Sequence, residues 1–392
     1  VKSRNSITFI MDGNFARVGT EILSPHMGYE KFARRFVHAF EDVRIVARSF
    51  PSSRRVGSVV TGTGVSFVTV GENRGGRALL ASLPRLFARV FGVVRDAETL
   101  VIRFPGNIAI ISMLVCLVSG KEFSVEVVAD PEDYFKDGAS DHPLRKIAGS
   151  IHCRATRFAV RHARSVRYVT RAYLQTKYPA GPDSKPFGFS DVYLPDSSFS
   201  VRDLETFSAT GALRIVNVAM MHNHSKGHAV LLETVSRLLR QGVKIQLTLV
   251  GDGPLRARFE ELADSLAIGD IVHFSGQVSS DTVREIVSQQ DLFVLPSFQE
   301  GLPRAMLEAM ASGTPALATT VGGIPEVLPA EDMFEPGSVD ELVRRIGGLA
   351  RNRGWLFEMS IRQSALASAF SYTALQTSYD EYCNYLVKQC VR

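Results

Sequence analysis

Short apolar runs alternate with amphipathic stretches along almost the whole chain. The runs Ile7–Met11, Val43–Ala47, Ser66–Val70, Thr99–Phe104 and Ser124–Val128 predict strands. Tyr29–Phe40, Leu79–Phe91, Ile108–Leu117 and Leu144–Ala163 predict helices between and after them. Strands alternating with helices imply parallel sheet built from β-α-β units. The pattern weakens between Pro179 and Thr210, where Pro179, Pro182, Pro186 and Pro195 sit among Gly and Ser; this stretch reads as a connection. The pattern restarts with strands at Leu213–Val218, Ile245–Val250, Val272–Phe274, Asp291–Leu295 and Pro315–Thr319. Helices are expected at His228–Gln241, Leu255–Leu266, Pro303–Ala311 and Val339–Arg351, with a last one at Thr373–Lys388. The expected fold class is α/β, with doubly wound domains at 1–195 and 196–372. In such open sheets a ligand sits beyond the carboxyl ends of the strands.

Composition narrows the class. The 392 residues are 45% apolar and 22% charged, which excludes disorder, collagen and coiled coil. Cys116, Cys153, Cys383 and Cys390 form no C-x-x-C pair, so free thiols are expected rather than a zinc ribbon or disulfide framework. The longest apolar run, Ile108 to Val118, falls well short of the ~20 residues a membrane span needs. Val1 to Asn5 lead straight into a strand pattern, and the missing initiator Met points to trimming or a fragment boundary. A cytoplasmic location, or one at the inner face of a plasma membrane, is expected. The net charge of +5 conceals an asymmetry: residues 1–200 hold 28 Lys/Arg against 18 Asp/Glu, the rest 17 against 22. Domains with different partners would show this.

The stretch from Asp291 to Leu328, DLFVLPSFQEGLPRAMLEAMASGTPALATTVGGIPEVL, concentrates the chemistry. A buried strand ends at Leu295, a turn holds Pro296 and Gly301, and Pro303 suits the first position of a helix. Free amides at that helix start form an anion site suited to phosphate. Glu300 and Glu308 beside it suit hydroxyl-rich ligands; solvated surface carboxylates are the alternative. His222, His224 and His228 are spaced H-x-H-x₃-H, yet they run from a loop into a helix start with Lys226 in their midst, which disfavours a metal. In the basic half, Arg74 and Arg77 lead into ALLASLPRLFARVFGVVR, where Arg85 and Arg89 interrupt apolar residues. Arg154, Arg157, Arg161 and Arg164 recur at helical spacing. Each stretch fits either an anionic membrane surface or a core-facing stripe with a solvated charged face. Aromatic residues do not interleave with the cations as nucleic-acid binding needs, so no nucleic acid is expected.

The segment P-S-F-Q-E-G-L-P-R-A-M-L-E-A-M-A-S-G-T-P, with Glu300 and Glu308 separated by seven residues, resembles the signature of retaining glycosyltransferase family 4. The segments V-G-G-I-P-E, S-K-G-H at Ser225–His228, V-G-D-G-P at Val250–Pro254 and F-S-G-Q-V at Phe274–Val278 are similar to that family too. The resemblance implies a GT-B fold: two Rossmann-like domains facing a cleft, the acceptor on the first and a nucleotide sugar on the second, with the last helix packed back on the first domain. It implies that Glu308 holds the ribose hydroxyls, that Glu300 lies by the transferred sugar, and that the amides of Gly301 and Leu302 lie near phosphate and sugar. Lys226 would neutralise the diphosphate, and the turn Gly251, Asp252, Gly253 with Val278 would border the base. A fixed ammonium and helix-start amides stabilise the charge on a departing diphosphate, so neither metal nor cofactor is expected.

Two positions depart from the pattern. Many family members carry Arg six positions before the lysine, where this chain has Met220; Arg304 is either a substitute cation or a solvated helix residue. Members often place His after the fourth strand, where V-I-R-F-P-G puts Arg103. Gly28, Arg103 and Asp130 are assigned to the acceptor side, with Asp130 equally suited to capping the P-E-D-Y turn. The expected activity is transfer of a sugar, with retention, from a nucleotide-sugar donor, UDP-linked in the first place, to a glycan or polyprenyl-linked acceptor in bacterial surface polysaccharide synthesis. E-V-V-A-D-P-E-D and Y-V-T-R-A-Y-L-Q-T-K-Y-P resemble that subset. A non-catalytic nucleotide-sugar-binding subunit and a sugar-nucleotide epimerase are the alternatives.

Overall fold

The structure is a computed structural model describing all residues except 1–4, 14, 25–26, 54, 56, 73–75, 136–143, 208–210 and 391–392. The chain divides into two compact units. The first comprises residues 1–132, 146–193 and 375–392, and the second 133–145 and 194–374.

The first unit is built on seven parallel strands: β1 Ser6–Ile10, β2 Asp42–Arg48, β3 Val65–Gly71, β4 Thr99–Phe104, β5 Ser124–Val127, β6 Ser165–Tyr168 and β7 Lys185–Gly188. Their order is β7-β6-β5-β4-β1-β2-β3. All six residues of β4 are buried, as expected for a central parallel strand covered on both faces. Helices α1 Gly76–Asp96, α2 Asn107–Ser119 and α3 Arg145–His162 connect successive strands. Leu86, Val90, Ile108, Met113, Ala159 and Val160 from these helices share one core with Ile10, Ile102, Val125 and Val166 from the sheet. The three helices therefore form one layer on one face, as right-handed crossovers require. The strands Ala16–Val18, Glu21–Ser24, Phe50–Pro51 and Ser58–Val59 form a small separate sheet.

Two expectations fail here. Residues 29–40 form turns around a three-residue 3₁₀ segment, Ala33–Arg35, rather than one α-helix. The apolar spacing is sound, because Phe32 and Phe36 pack on Phe9 with ring centroids 5.1 and 4.6 Å away. Arg35, however, points inward, donating to the Val192 carbonyl at 2.9 Å and lying 4.3 Å from the centre of the Tyr379 ring. In a helix Phe32, Arg35 and Phe36, at i, i+3 and i+4, would share one face, so the apolar spacing alone does not tell a helix from these turns. The stretch 179–210, expected to be a connection, contains the edge strand β7, whose Pro186 is tolerated because an edge needs fewer ladder bonds.

The second unit holds six parallel strands: β8 Leu213–Val218, β9 Ile245–Val250, β10 Val272–Gly276, β11 Leu292–Leu295, β12 Ala316–Thr319 and β13 Met333–Phe334. Their order is β10-β9-β8-β11-β12-β13. Helices α4 His228–Arg240, α5 Arg256–Ser265, α6 Ser280–Ser288, α7 Arg304–Ala311, α8 Val339–Arg351 and α9 Gly354–Ser368 follow the strands. Arg202 anchors the entering segment to this unit, donating at 2.5 Å to both the Gln290 and Ser288 carbonyls. The last helix, α10 Tyr372–Cys390, places Tyr379 and Tyr382 against Phe189, with centroids 4.8 and 6.0 Å away, within the first unit.

Candidate active site

Strand order locates the binding edge of each unit. In the second sheet the chain winds from β8 through β9 to β10 in one direction, and from β11 through β12 to β13 in the other. The carboxyl ends of β8 and β11 therefore flank a topological switch point, where open α/β sheets bind ligands. Lys226 follows β8 and Glu300 follows β11. They meet there, with Lys226 Nζ 2.7 Å from Glu300 Oε1. The carboxylate is 10% exposed and the lysine 29%.

Local sequence builds this contact. The Asn223 side chain accepts from the Ser225 amide at 3.0 Å and the Ser225 hydroxyl at 2.6 Å, closing a 3₁₀ turn that ends at Gly227. Gly227 has φ +69°, and a Cβ there would lie 2.0 Å from the Pro296 carbonyl oxygen. Glycine thus satisfies the left-handed turn and lets the two loops touch. The Phe298 amide then donates to the Ser225 carbonyl at 2.8 Å, which sets Lys226 against Gln299 and Glu300. The Ser297 hydroxyl donates to Glu300 Oε1 at 2.7 Å, fixing the carboxylate from its own loop. The loop after β12 supplies a third clamp. Gly322, at φ +59°, would place a Cβ 1.8 Å from the Glu300 carbonyl oxygen, and the Gly323 amide donates to the Gly301 carbonyl at 2.6 Å. The V-G-G-I-P segment is what permits this approach.

The other predicted residues of this unit lie on loops along the same sheet edge. Gly251, Asp252 and Gly253 follow β9; Met221 donates to the Asp252 carbonyl at 3.0 Å, and Leu255 donates to the Met221 carbonyl at 3.0 Å. These bonds tie that turn to the loop carrying Met220. Val278 is half-buried after β10. Gly301 and Leu302 lead into α7. Pro303 is the N-cap, not the first helical residue, and Arg304 takes that first place, half-buried. Glu308 is half-buried one turn further on.

His224 packs edge-on against the Phe259 ring, centroids 6.0 Å apart. His222 is exposed, whereas His228 is buried with its ring stacked on Phe259, centroids 4.9 Å apart. Burial pushes the His228 imidazole down to about 4, so it is neutral near pH 7. Among the described residues, no group of three or more His, Cys, Asp or Glu could hold a metal ion.

In the first unit the winding reverses between β1 and β4. Asp12, just past β1, accepts from the Ile108 amide at the start of α2 at 2.8 Å and from Arg48 at 2.9 Å. Sequence reasoning missed Asp12; its signal was an acidic residue directly after the first strand. Arg103 is buried, paired with Asp191 and 3.7 Å from Glu126, which also binds the fully buried Arg167 at 2.8 Å. Asp130 is buried too. It accepts from Tyr178 at 2.6 Å, from Tyr173 at 3.1 Å, from Lys177, and from the Glu132 amide at 2.9 Å, the capping bond of its turn. Lys177 and Tyr178 hold the Asp130 carboxyl below the usual range although burial pushes it up. Gly28 closes a turn whose carbonyl accepts from Lys31 and Phe32.

Known proteins are similar to this chain in sequence and in architecture. Protein CapJ of Staphylococcus aureus is 29% identical over 288 residues, 73% of this chain and 71% of that protein. The putative colanic acid biosynthesis glycosyltransferase WcaL of Escherichia coli K12 is 34% identical over 125 residues, 30% of each chain. The solved structure of HepE from Anabaena in complex with UDP superposes with a TM-score of 0.66 at 15% identity, covering 97% of this chain and all of that one. Lys226, Glu300 and Glu308 all fall within residues 212–352, which match the family Glycosyl transferases group 1. That segment is a group 1 glycosyl transferase domain, carried in a chain of GT-B fold.

Proposed function

We propose that this protein transfers a sugar, with retention of anomeric configuration, from a nucleotide-sugar donor to a glycan or polyprenyl-linked acceptor, in the synthesis of a bacterial surface polysaccharide. The observation that carries the reading is the meeting of Lys226 and Glu300 at the switch point of the second sheet. HepE, of the same fold, was solved with UDP, which supports a UDP-linked donor. The place of WcaL in colanic acid biosynthesis supports the polysaccharide context.

In this reading the bond from the anomeric carbon to the diphosphate breaks and the leaving group takes the electron pair, while the acceptor hydroxyl oxygen bonds to that carbon on the same face and its proton passes to the departing phosphate oxygen. The Lys226 ammonium, already seated, stabilises that charge at little reorganisation cost, together with the free amides of Gly301, Leu302 and the start of α7. Glu300 lies by the transferred sugar, Glu308 binds the ribose, and Gly251, Asp252, Gly253 and Val278 border the base. The lysine supplies the positive charge, so no metal or cofactor is required.

The test has two stages. Thermal shift with UDP-, GDP- and ADP-sugars identifies the donor, since a tight ligand raises apparent stability by mass action. Labelled donor and a polyprenyl-linked acceptor then report product. Binding without turnover would leave a non-catalytic subunit, a reading to which Met220 lends weight. Interconversion of the sugar on its nucleotide would indicate an epimerase. No stabilisation by any nucleoside diphosphate would overturn the reading.

A further inference from the structure

Trp355 is the single tryptophan of the chain, and it is 49% exposed. It stands at the start of α9, whose Leu356 and Met359 enter the core of the second unit while the indole stays outside it. The ring forms one wall of an open hollow of ≈ 380 Å³ between α8 and α9. Sites for small ligands span ~300–1,000 Å³. The hollow also touches Leu317 in β12, and Glu331 and Asp332 just before β13. It therefore lies toward the amino ends of these strands. Lys226 and Glu300 follow the carboxyl ends of β8 and β11, at the opposite edge of the same parallel sheet.

Gly348 of α8 keeps the hollow open. Beyond its own helix backbone, a Cβ there would have one neighbour within 4 Å, Cζ3 of Trp355 at 3.6 Å. Glycine disfavours a helix interior, so at this position it contributes room rather than stability. The polar walls are held from behind. Asp332 is buried and accepts from Arg362 and from Gln363, each at 2.8 Å. Arg345 donates to Glu341 at 2.8 and 3.0 Å. Arg344, Glu331 and Glu358 remain exposed at the rim.

Charge selects the ligand. Arg344, Arg345 and Arg362 stand against Glu331, Asp332 and Glu358, three cations to three carboxylates. A phosphate would need a surplus of cations, and a metal ion or amine a surplus of carboxylates. The setting differs from that of Phe87 and Phe91, exposed beside Arg85 and Arg89 in a basic stretch whose Arg74 lies outside the described residues. A neutral ligand rich in hydroxyls satisfies both signs at once, because each hydroxyl donates to a carboxylate and accepts from a guanidinium. The flat indole can then cover a face of C–H groups. A pyranose ring has both features. We propose that this hollow binds a neutral saccharide chain, at a site separate from the donor site. The proposal does not rest on the transfer reading and is measured without a donor.

Trp355 is also the reporter, since no other tryptophan contributes fluorescence. The full chain is titrated with neutral tetrasaccharides of glucose, mannose, galactose and N-acetylglucosamine. At least one should shift the emission to the blue, saturably, as the ring is covered. Saturating UDP should leave that affinity within about twofold, because separate sites without coupling do not alter one another. Calorimetry follows the variants. Trp355→Ala should weaken binding about 10-fold, the loss of one aromatic stacking contact. Gly348→Leu, which fills the hollow, should abolish binding in protein of unchanged circular dichroism. No saturable shift with any of the four sugars up to ~10 mM would overturn the proposal, since a built site gives at least millimolar affinity. So would competition by UDP, a larger shift with inorganic phosphate than with the sugars, or retained affinity in both variants. A blue shift that grows with protein concentration alone would overturn it too, by making this face a contact between copies.

Discussion

The ammonium of Lys226 is held 2.7 Å from the carboxylate of Glu300, each brought there from a different strand of the same sheet. A diphosphate entering this edge meets a cation already in place, so little ordering remains for the moment of bond cleavage. Lys226→Ala should therefore lower turnover by ~10²–10³-fold, the usual cost of losing one preorganised donor. Met220 sharpens the expectation, because no arginine stands six positions earlier to share the charge. Steady-state kinetics on protein of unchanged circular dichroism is the check; near-normal turnover would remove Lys226 from the leaving-group role.

The same argument predicts tolerance of chelation. If Lys226 supplies the charge a divalent ion would otherwise supply, product formation after exhaustive EDTA treatment and gel filtration should stay within about twofold of the untreated rate. A loss restored by added Mg²⁺ or Mn²⁺ would show that a metal shares the task.

Glu308 should behave differently from Lys226. Ribose contacts hold ground state and transition state alike, so Glu308→Ala should raise the donor KM more than it lowers kcat. Arg304, the first residue of α7, sorts by the same measurement. A kcat loss approaching that of Lys226→Ala would make it the second cation in place of Met220, whereas a change below about threefold would return it to the helix surface.

Much of this was legible in the sequence, and the exceptions have physical causes. The strands Leu213–Val218 and Ile245–Val250 are found where alternation of apolar runs placed them, because buried parallel strands are continuous and apolar. Glu300 and Lys226 were legible as separate motifs, but their contact was not: 74 positions separate them, and only the strand order joins them. Tyr29–Phe40 failed because its period reports burial, not backbone continuity, and an inward Arg35 is invisible to hydropathy. Arg103 and Asp130 are assigned from the sequence to the acceptor side, Asp130 equally to capping its turn, and their burial is not legible there. The structure gives each buried partners distant in sequence, Asp191 and Tyr178, which no local pattern signals.

Asp130 gives a pH prediction. Burial raises its pKa, and the bonds from Lys177 and Tyr178 lower it further than burial raises it, so the folded value lies below the unfolded one. A depressed carboxylate stabilises the fold fully above its unfolded pKa, about 3.9, and the contribution is lost as pH falls through the folded value. Asp130→Asn should cost about 1–2 kcal/mol at pH 7, by removing the carboxylate that Lys177 and the Tyr178 hydroxyl share, with Glu132 remaining as the second partner of Lys177. The gap between wild type and variant should close as pH falls below about 4. Urea titrations at pH 7, 5 and 3.5 measure it, and a gap independent of pH would mean that charge has no part in it.

Two left-handed glycines separate backbone strain from site geometry. Gly120 ends α2 at φ +65°, and a Cβ there would meet no atom within 4 Å, whereas Gly227 at φ +69° would drive a Cβ to 2.0 Å from the Pro296 carbonyl. Gly120→Ala bears only the left-handed penalty, about 1–2 kcal/mol. Donor affinity should be unchanged, since Gly120 lies at the end of a helix in the other unit. Gly227→Ala bears the same penalty and must also push apart the loops after β8 and β11, which separates Lys226 from Glu300. Its stability loss should exceed that of Gly120→Ala, and turnover should fall toward the level of Lys226→Ala even in the fraction that remains folded. If the two variants lose the same stability and Gly227→Ala keeps its turnover, the close approach of the two loops is not what positions the lysine.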